Sequence, residues 1–399
     1  MNKDEEPDDE IFRPRLNPLC NRESVVSISA EDDNVELVHD DDEEIYSEAI
    51  YGHILKELKE DDDQTSYIHN INVSKYTRDA KNSTESKSKL AITPKLQNIV
   101  DELIITEENY VNRLKKILED YIPYLLNKFG DEKYIYITSY ISLILDKIYD
   151  KQKLFLRDLK KSHYDIETIV ETFHKHEELF MLYPFYFKRH RYTQTFLVDI
   201  KEIAMRKQEE LGDTLDLPAY LYRPIDRLGK YPLLFNEMNK EIIKSNGSRL
   251  DDNAQESIGH KGINSICGLI ERIMSQGNSE VARASIEKLP IDIIDDFDTY
   301  LFKDDFQVRY NKKWKSPLTV FLFKNIIIFT KKAKVPEAFT YVDSVLIKNV
   351  EKVVDTSKNI IEICDFNHVK KKKKFFLEAE MPEVFNRWAE QICTLSMQY

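Results

Sequence analysis

The sequence predicts a multidomain α and β chain: a disordered acidic leader, an elongated all-helical bundle, then a β-sandwich or barrel capped by a C-terminal helix. Three patterns carry the prediction. Charge is unevenly shared, because residues 1–90 hold 24 Asp and Glu against 11 Lys and Arg while the remainder holds 47 of each. From Thr93 to Ile286 apolar residues recur at helical spacing, and beyond Pro290 they alternate with period two. At 399 residues there is length for two or three separate cores.

The leader is poor in large apolar residues and ends in a Ser/Thr/Lys-rich stretch, Ser74 to Lys89. Such a composition buries too little surface to offset its ordering entropy. One island interrupts it at residues 43–60, where Ile45, Ala49, Ile50, Ile54 and Leu58 share a helical face, though Gly52 weakens it. The acidity argues against non-specific nucleic-acid binding. Cys20, Cys267, Cys364 and Cys393 are far apart, which reads as reduced thiols rather than a disulfide framework or a zinc site. No apolar run approaches the roughly 18 residues of a membrane span, and the N-terminus lacks an apolar secretion core, so a cytoplasmic chain is expected.

Thr93-Pro94 opens the first long helix, a capping residue followed by proline at the first helical position. Leu96, Val100, Leu103, Tyr110, Leu114 and Ile117 form its inward stripe. Further on, Phe173, Phe180, Tyr183 and Tyr186 read as core, and His174 and His176 fall on different faces, which is no metal site. In Leu217–Met238 the residues Leu221, Ile225, Leu228, Pro232 and Phe235 make one seam, while Arg223, Asp226, Arg227 and Lys230 make a charged face. Pro224 and Pro232 each cost roughly 3 kcal/mol inside a helix, so propensity alone breaks it at Arg223 and Tyr231. Only tertiary packing could keep it whole. A polar loop, Ser245 to Asn253, leads to a last helix running through Ile286.

After Pro290 come strand patterns at Phe306/Val308/Tyr310, Leu318/Val320/Leu322, Asn325–Phe329, Phe339–Ile347, Ile360–Cys364 and Phe375–Ala379. Pro382 then opens a helix with Phe385, Trp388, Ile392 and Leu395 on one stripe.

The string LPAYLYRPIDRLGKYPLLF (Leu217–Phe235) resembles the third conserved region of the Dbl-homology (DH) domain, the exchange module of Rho-family guanine nucleotide exchange factors. Asp226 stands where that family has glutamine. IVDELIITEENYVNRL (Ile99–Leu114) resembles the first conserved region, and Phe155, Leu156 and Leu159 with Val170–His190 resemble the second and the F-x-x-Y-x-x-Y element after it. SQGNSEVARASI (Ser275–Ile286) is similar, more loosely, to the end of the domain in the Trio- and puratrophin-like branch. Strands closed by a helix with a central tryptophan look like a pleckstrin-homology (PH) domain, and DH followed by PH is the family's tandem. The resemblance implies a DH domain over 93–288 and a PH domain over 291–399, after a leader of 1–90.

It further implies a Rho-family small GTPase as partner, no cofactor, and exchange of bound nucleotide without covalent chemistry. Glu102 is implied at switch I, Lys230 at switch II carboxylates, and Asn278 as a hydrogen-bonding neighbour of the apolar surface around Leu233. Asp226 and Arg227 complete the candidate GTPase-binding set. For a lone glutamate on a helix, without the resemblance, a solvated face is the plainer reading. The 43–60 island similarly admits two readings. It is either a transient helix, or an autoinhibitory one in the GTPase groove, released by phosphorylation of Tyr46 or Tyr51 as in Vav-type factors. Arg309, Lys312, Lys313 and Lys315, with the run Lys370–Lys374, admit two readings: solvated hairpins, or weak attraction to an anionic phosphoinositide membrane with recruitment to the inner face of the plasma membrane. The rival from another class is a non-catalytic DH–PH scaffold. A hydrolase finds no support, since G-x-S-x-G, P-loop and H-E-x-x-H patterns are all missing from the sequence.

Overall fold

The computed structural model describes residues 93–399 except 247–257, 291–292, 294–296, 311–314, 335–336, 351–358 and 366–372. The leader with its 43–60 island, Tyr46 and Tyr51 lies outside the described residues, as do Lys312 and Lys313. The described chain divides into a helical unit ending at residue 280 and a mainly β unit from residue 281.

The helical unit begins with α1 (Pro94–Lys116), whose first turn is capped by Thr93 Oγ1 accepting from Leu96 N at 3.1 Å. The inward stripe expected from Leu96 to Ile117 is buried throughout. A π-helical turn, Ile117–Tyr121, then leads into α2 (Ile122–Lys128), in which Pro123 occupies the first turn. Such a widened turn accommodates a proline that cannot close the ordinary hydrogen bond. α3 (Glu132–Lys160), α4 (Ile166–Lys175), a single turn α5 (Glu177–Phe180), α6 (Tyr183–Asp199) and α7 (Lys201–Leu211) follow. α7 stops at Gly212, which takes φ +63° and so the left-handed conformation that side chains resist.

α8 (Leu217–Asn246) runs unbroken through both Pro224 and Pro232. Packing overrides propensity here. Tyr231 and Phe235, on either side of Pro232, are fully buried and meet Phe173 edge-on at 5.3 and 4.9 Å between ring centroids. Phe173 in turn stacks on Phe180 and meets Phe155 edge-on. Near the other proline, Tyr186 Oη donates to the carbonyl of Leu221 at 2.5 Å, three residues before Pro224. α9 (Ile258–Ala284) closes the helical part.

The β unit is one seven-stranded sheet in the order β1-β5-β4-β3-β2-β7-β6. Its strands are β1 (Ile286–Glu287), β2 (Tyr300–Tyr310), β3 (Lys315–Phe323), β4 (Ile326–Lys332), β5 (Phe339–Leu346), β6 (Ile360–Asp365) and β7 (Lys373–Glu378). Every pairing is antiparallel except β1 with β5. β1 corrects the expectation of a helix through Ile286. Ser285 O accepts from Phe339 N at 2.9 Å, and the Ile286 side chain is buried with Tyr300, Phe321 and Phe339. That packing also explains why β3 and β4 do not alternate: both faces of the sheet are covered there. On the other face α10 (Pro382–Ser396) lays Phe385, Trp388, Ile392 and Leu395 into the core. The Trp388 ring meets Phe302 and Phe306 edge-on, and its Nε1 donates to Asp304 Oδ2 at 2.6 Å.

His190 on α6 is buried, and burial pushes its pKa down to about 4. The folded state therefore holds the ring neutral, whereas the unfolded chain protonates it near the ordinary value of about 6.5. Stability from this group is complete above pH ~6.5 and is lost as pH falls toward 4, by about 3 kcal/mol. Denaturant titrations at pH 7 and 4.5 should give a smaller drop for His190→Gln than for the wild-type chain; an equal drop would contradict the assignment.

Candidate functional site

The candidate residues sit where α1 and α8 run antiparallel. Thr93 at the start of α1 bonds Glu241 near the end of α8 at 3.2 Å, while Glu107 further along α1 bonds Arg227 in the first half of α8. Glu107 is fully buried within the apolar stripe of α1. Its Oε2 accepts from Arg227 Nη2 and Nε at 2.7 and 3.0 Å and from Tyr231 Oη at 2.7 Å. Gln152 Nε2 on α3 donates to Oε1. Gln152 Oε1 accepts from Tyr183, whose hydroxyl shares a bond with that of Tyr110, so the chain of polar groups ends without a gap. Burial raises the pKa of the Tyr110, Tyr183 and Tyr231 hydroxyls, which stay protonated. Burial works against the Arg227 charge, but the Glu107 carboxylate outweighs it and holds the guanidinium pKa above its usual value.

Arg227 is thus a correction. The sequence placed it with Arg223, Asp226 and Lys230 on a charged surface, but it is only 4% exposed. A buried carboxylate requires a counter-charge, and the arginine fork on the facing helix supplies it. The signal was present in the sequence. Glu107 lies at the inward spacing Leu103, Glu107, Tyr110, Leu114, an acid inside an apolar stripe.

The other candidates surround this pair. Arg227 Nη1 donates to Thr106 Oγ1 at 2.8 Å, and Glu102, one turn earlier on α1, is exposed. Lys230, three residues beyond Arg227, is 53% exposed and lies 3.7 Å from Asp226, which also takes Arg223 at 3.2 Å. Leu233 is 42% exposed. Ile105, 57% exposed and three residues from Glu102, adds apolar area that the sequence reading did not single out. α9 approaches from the other side. A Cβ added at Gly229 would lie 3.9 Å from Met274 Cε, and half-buried Asn278 follows Met274 by one turn. The neighbouring Gly277 has a positive reason to be there: a Cβ would come within 2.9 Å of Phe187 Cγ on α6. Among the described residues no group of three His, Cys, Asp or Glu is placed to hold a metal ion. His174 and His176 turn to Ser265 and Asp158 respectively.

In the β unit the described members of the candidate lipid-binding clusters are engaged. Lys315 pairs with Glu378 at 2.5 Å, Lys373 with Asp343 and Lys374 with Glu362, and Arg309 lies over the Phe376 ring at 5.2 Å. No helix among the described residues is long and apolar enough to cross a membrane.

Residues 99–283 match the family model of the RhoGEF domain, and residues 294–395 match that of the SOS1/NGEF-like PH domain. The chain belongs to the Dbl family of tandem DH–PH proteins. Human pleckstrin homology domain-containing family G member 4B is 27% identical over 309 residues, which cover 75% of this chain and 18% of that protein. Human puratrophin-1 is 26% identical over 319 residues, covering 75% and 25%. The chain therefore spans a quarter or less of these relatives' length. In fold, the DH–PH tandem resembles the complex of PDZ-RhoGEF DH/PH domains with GTPγS-activated RhoA. The TM-score is 0.50 at 13% identity, covering 79% of this chain and 97% of that one.

Two substitutions test the packing of the DH bundle. Arg227→Met leaves Glu107 buried without its counter-charge and should cost about 3–5 kcal/mol, read as a lower denaturation midpoint. Gly277→Ala forces the α6–α9 contact apart and should cost about 1–3 kcal/mol. Wild-type midpoints for either would refute the corresponding contact.

Proposed function

We propose that this chain is a guanine nucleotide exchange factor that speeds GDP release from a Rho-family small GTPase. In this reading residues 93–288 form the exchange unit and residues 291–399 its PH partner. The supporting observation is that exposed Glu102 and exposed Lys230 lie within one turn of the same Arg227–Thr106 hydrogen bond, on two different helices. A neighbour of the same fold, the PDZ-RhoGEF DH/PH unit, forms a crystalline complex with GTPγS-activated RhoA. Exchange breaks no covalent bond. A catalyst of this kind binds the nucleotide-free GTPase more tightly than the loaded one, and by linkage each fold of weakened nucleotide binding returns as tighter binding to the empty state. Glu102 is assigned the displaced switch I, Lys230 the carboxylates of switch II, and Leu233 with Asn278 the apolar and hydrogen-bonding remainder.

Asp226 bears on the alternative, a scaffold that binds without releasing nucleotide, because it holds Lys230. That hold is weak enough to leave Lys230 available to a partner. An exposed i,i+4 ion pair is worth about 0.3–0.5 kcal/mol, while coupling energies of close charge pairs across an interface run from about 1.5 to 7 kcal/mol. A GTPase carboxylate therefore displaces Asp226. For the PH unit, attraction to an anionic membrane is the complementary proposal. Since Lys315, Lys373 and Lys374 already have carboxylate partners, a diffuse field fits better than one tight headgroup site.

Release of a fluorescent GDP from a panel of Rho-family GTPases tests the proposal. The full chain should accelerate release from at least one member. Glu102→Ala and Lys230→Ala should each slow it by about 30-fold or more, the equivalent of 2 kcal/mol, with helix content unchanged. Stable binding without release would establish the scaffold instead.

A further inference from the structure

Glu102 is exposed, and no described side chain bonds its carboxylate, so its position depends on the backbone of its own turn. That turn is tied from outside α1. Thr106 Oγ1 donates to the Glu102 carbonyl at 2.7 Å and accepts from Arg227 Nη1 at 2.8 Å. Arg227 Nη2 also reaches the Leu103 carbonyl at 3.3 Å. The guanidinium cannot swing, because two of its N–H groups are committed to buried Glu107. A hydroxyl donating to the carbonyl four residues back tilts that carbonyl and bends the turn carrying it. A fixed cation on α8 therefore sets the attitude of one turn of α1.

We propose that Thr106 and Arg227 form a positioning relay that holds the Glu102 turn at a set distance from Lys230. This rests on the exchange reading, in which Glu102 and Lys230 grip two separate switch regions at once. Neither relay residue touches the GTPase. Lys230 follows Arg227 by three residues on the same helix, so the group that fixes the acid's turn also carries the base. Losing the relay leaves both charges present but lets their separation vary, and a misplacement of about 1 Å in such a site can cost on the order of 100-fold in rate.

The decisive pair is Thr106→Val, which keeps the shape and removes the hydroxyl, against Thr106→Ser, which keeps the hydroxyl. Three readouts are taken on the full chain: GDP release from a Rho-family GTPase at saturating exchange factor, amide hydrogen exchange across residues 99–107, and the thermal midpoint. Thr106→Val should slow maximal release about 10-fold or more and speed amide exchange in that turn, while its midpoint falls by only about 2–8 °C, leaving the chain folded at the assay temperature. Thr106→Ser should restore release to within about twofold. Because the relay acts through Glu102, Thr106→Val should cause little further loss when added to Glu102→Ala. A full release rate in Thr106→Val would overturn the relay, and so would an equal loss with or without Glu102. If the wild-type chain releases nucleotide from no GTPase on the panel, it is the exchange reading that falls. Amide exchange alone then judges the relay, and unchanged protection in Thr106→Val overturns it.

Discussion

The DH bundle depends on one buried ion pair, Glu107 with Arg227, which joins helices 120 residues apart in sequence. Taking two charges out of water costs several kcal/mol per ion, and attraction offsets this only when the geometry is good and the remaining lone pairs are filled. Both conditions hold here. The carboxylate accepts from Arg227, Tyr231 and Gln152, and the guanidinium gives two further N–H groups to Thr106 Oγ1 and Leu103 O. What the pair adds over an apolar contact is register. Two greasy faces slide with little change in energy, whereas a planar fork satisfied at both ends fits one alignment of α1 and α8.

That alignment also explains how α8 survives its prolines. Each proline removes a backbone donor and crowds the preceding turn. Tyr231 and Phe235 offset this by burying their rings against Phe173 on α4, and the Tyr231 hydroxyl joins the Glu107 network. Near the other proline, Tyr186 ties α8 to α6 through the Leu221 carbonyl. The helix is held along its length by its neighbours, so the exposed residues it carries, Lys230 and Leu233 among them, sit on a rigid support. For the exchange surface proposed here, such rigidity keeps binding energy from being spent on ordering the helices themselves.

The β unit shows the same division between local pattern and packing. Trp388 and its stripe on α10 were legible as an amphipathic helix, and they fill the core as the spacing implied. The short strand β1 was not legible. Two residues after a long helix carry no period of their own, and only their fit against Phe339 makes them a strand.

By itself the sequence determined the class of the long described segments, because helical and strand periods are written in single chains. It also carried the motifs from Ile99 to Leu114 and from Leu217 to Phe235 that mark the DH family, and it named Glu102 and Lys230 as exposed candidates. Tertiary structure decided which charged residues face outward. Arg227 and Lys230 lie only three residues apart on one stripe, yet one is inside and the other in water. Gly277 likewise reads as a weak spot in a helix until Phe187 is seen beside it. The physical reason is common to both. A period tells which residues share a face, but what a face meets is set by another helix.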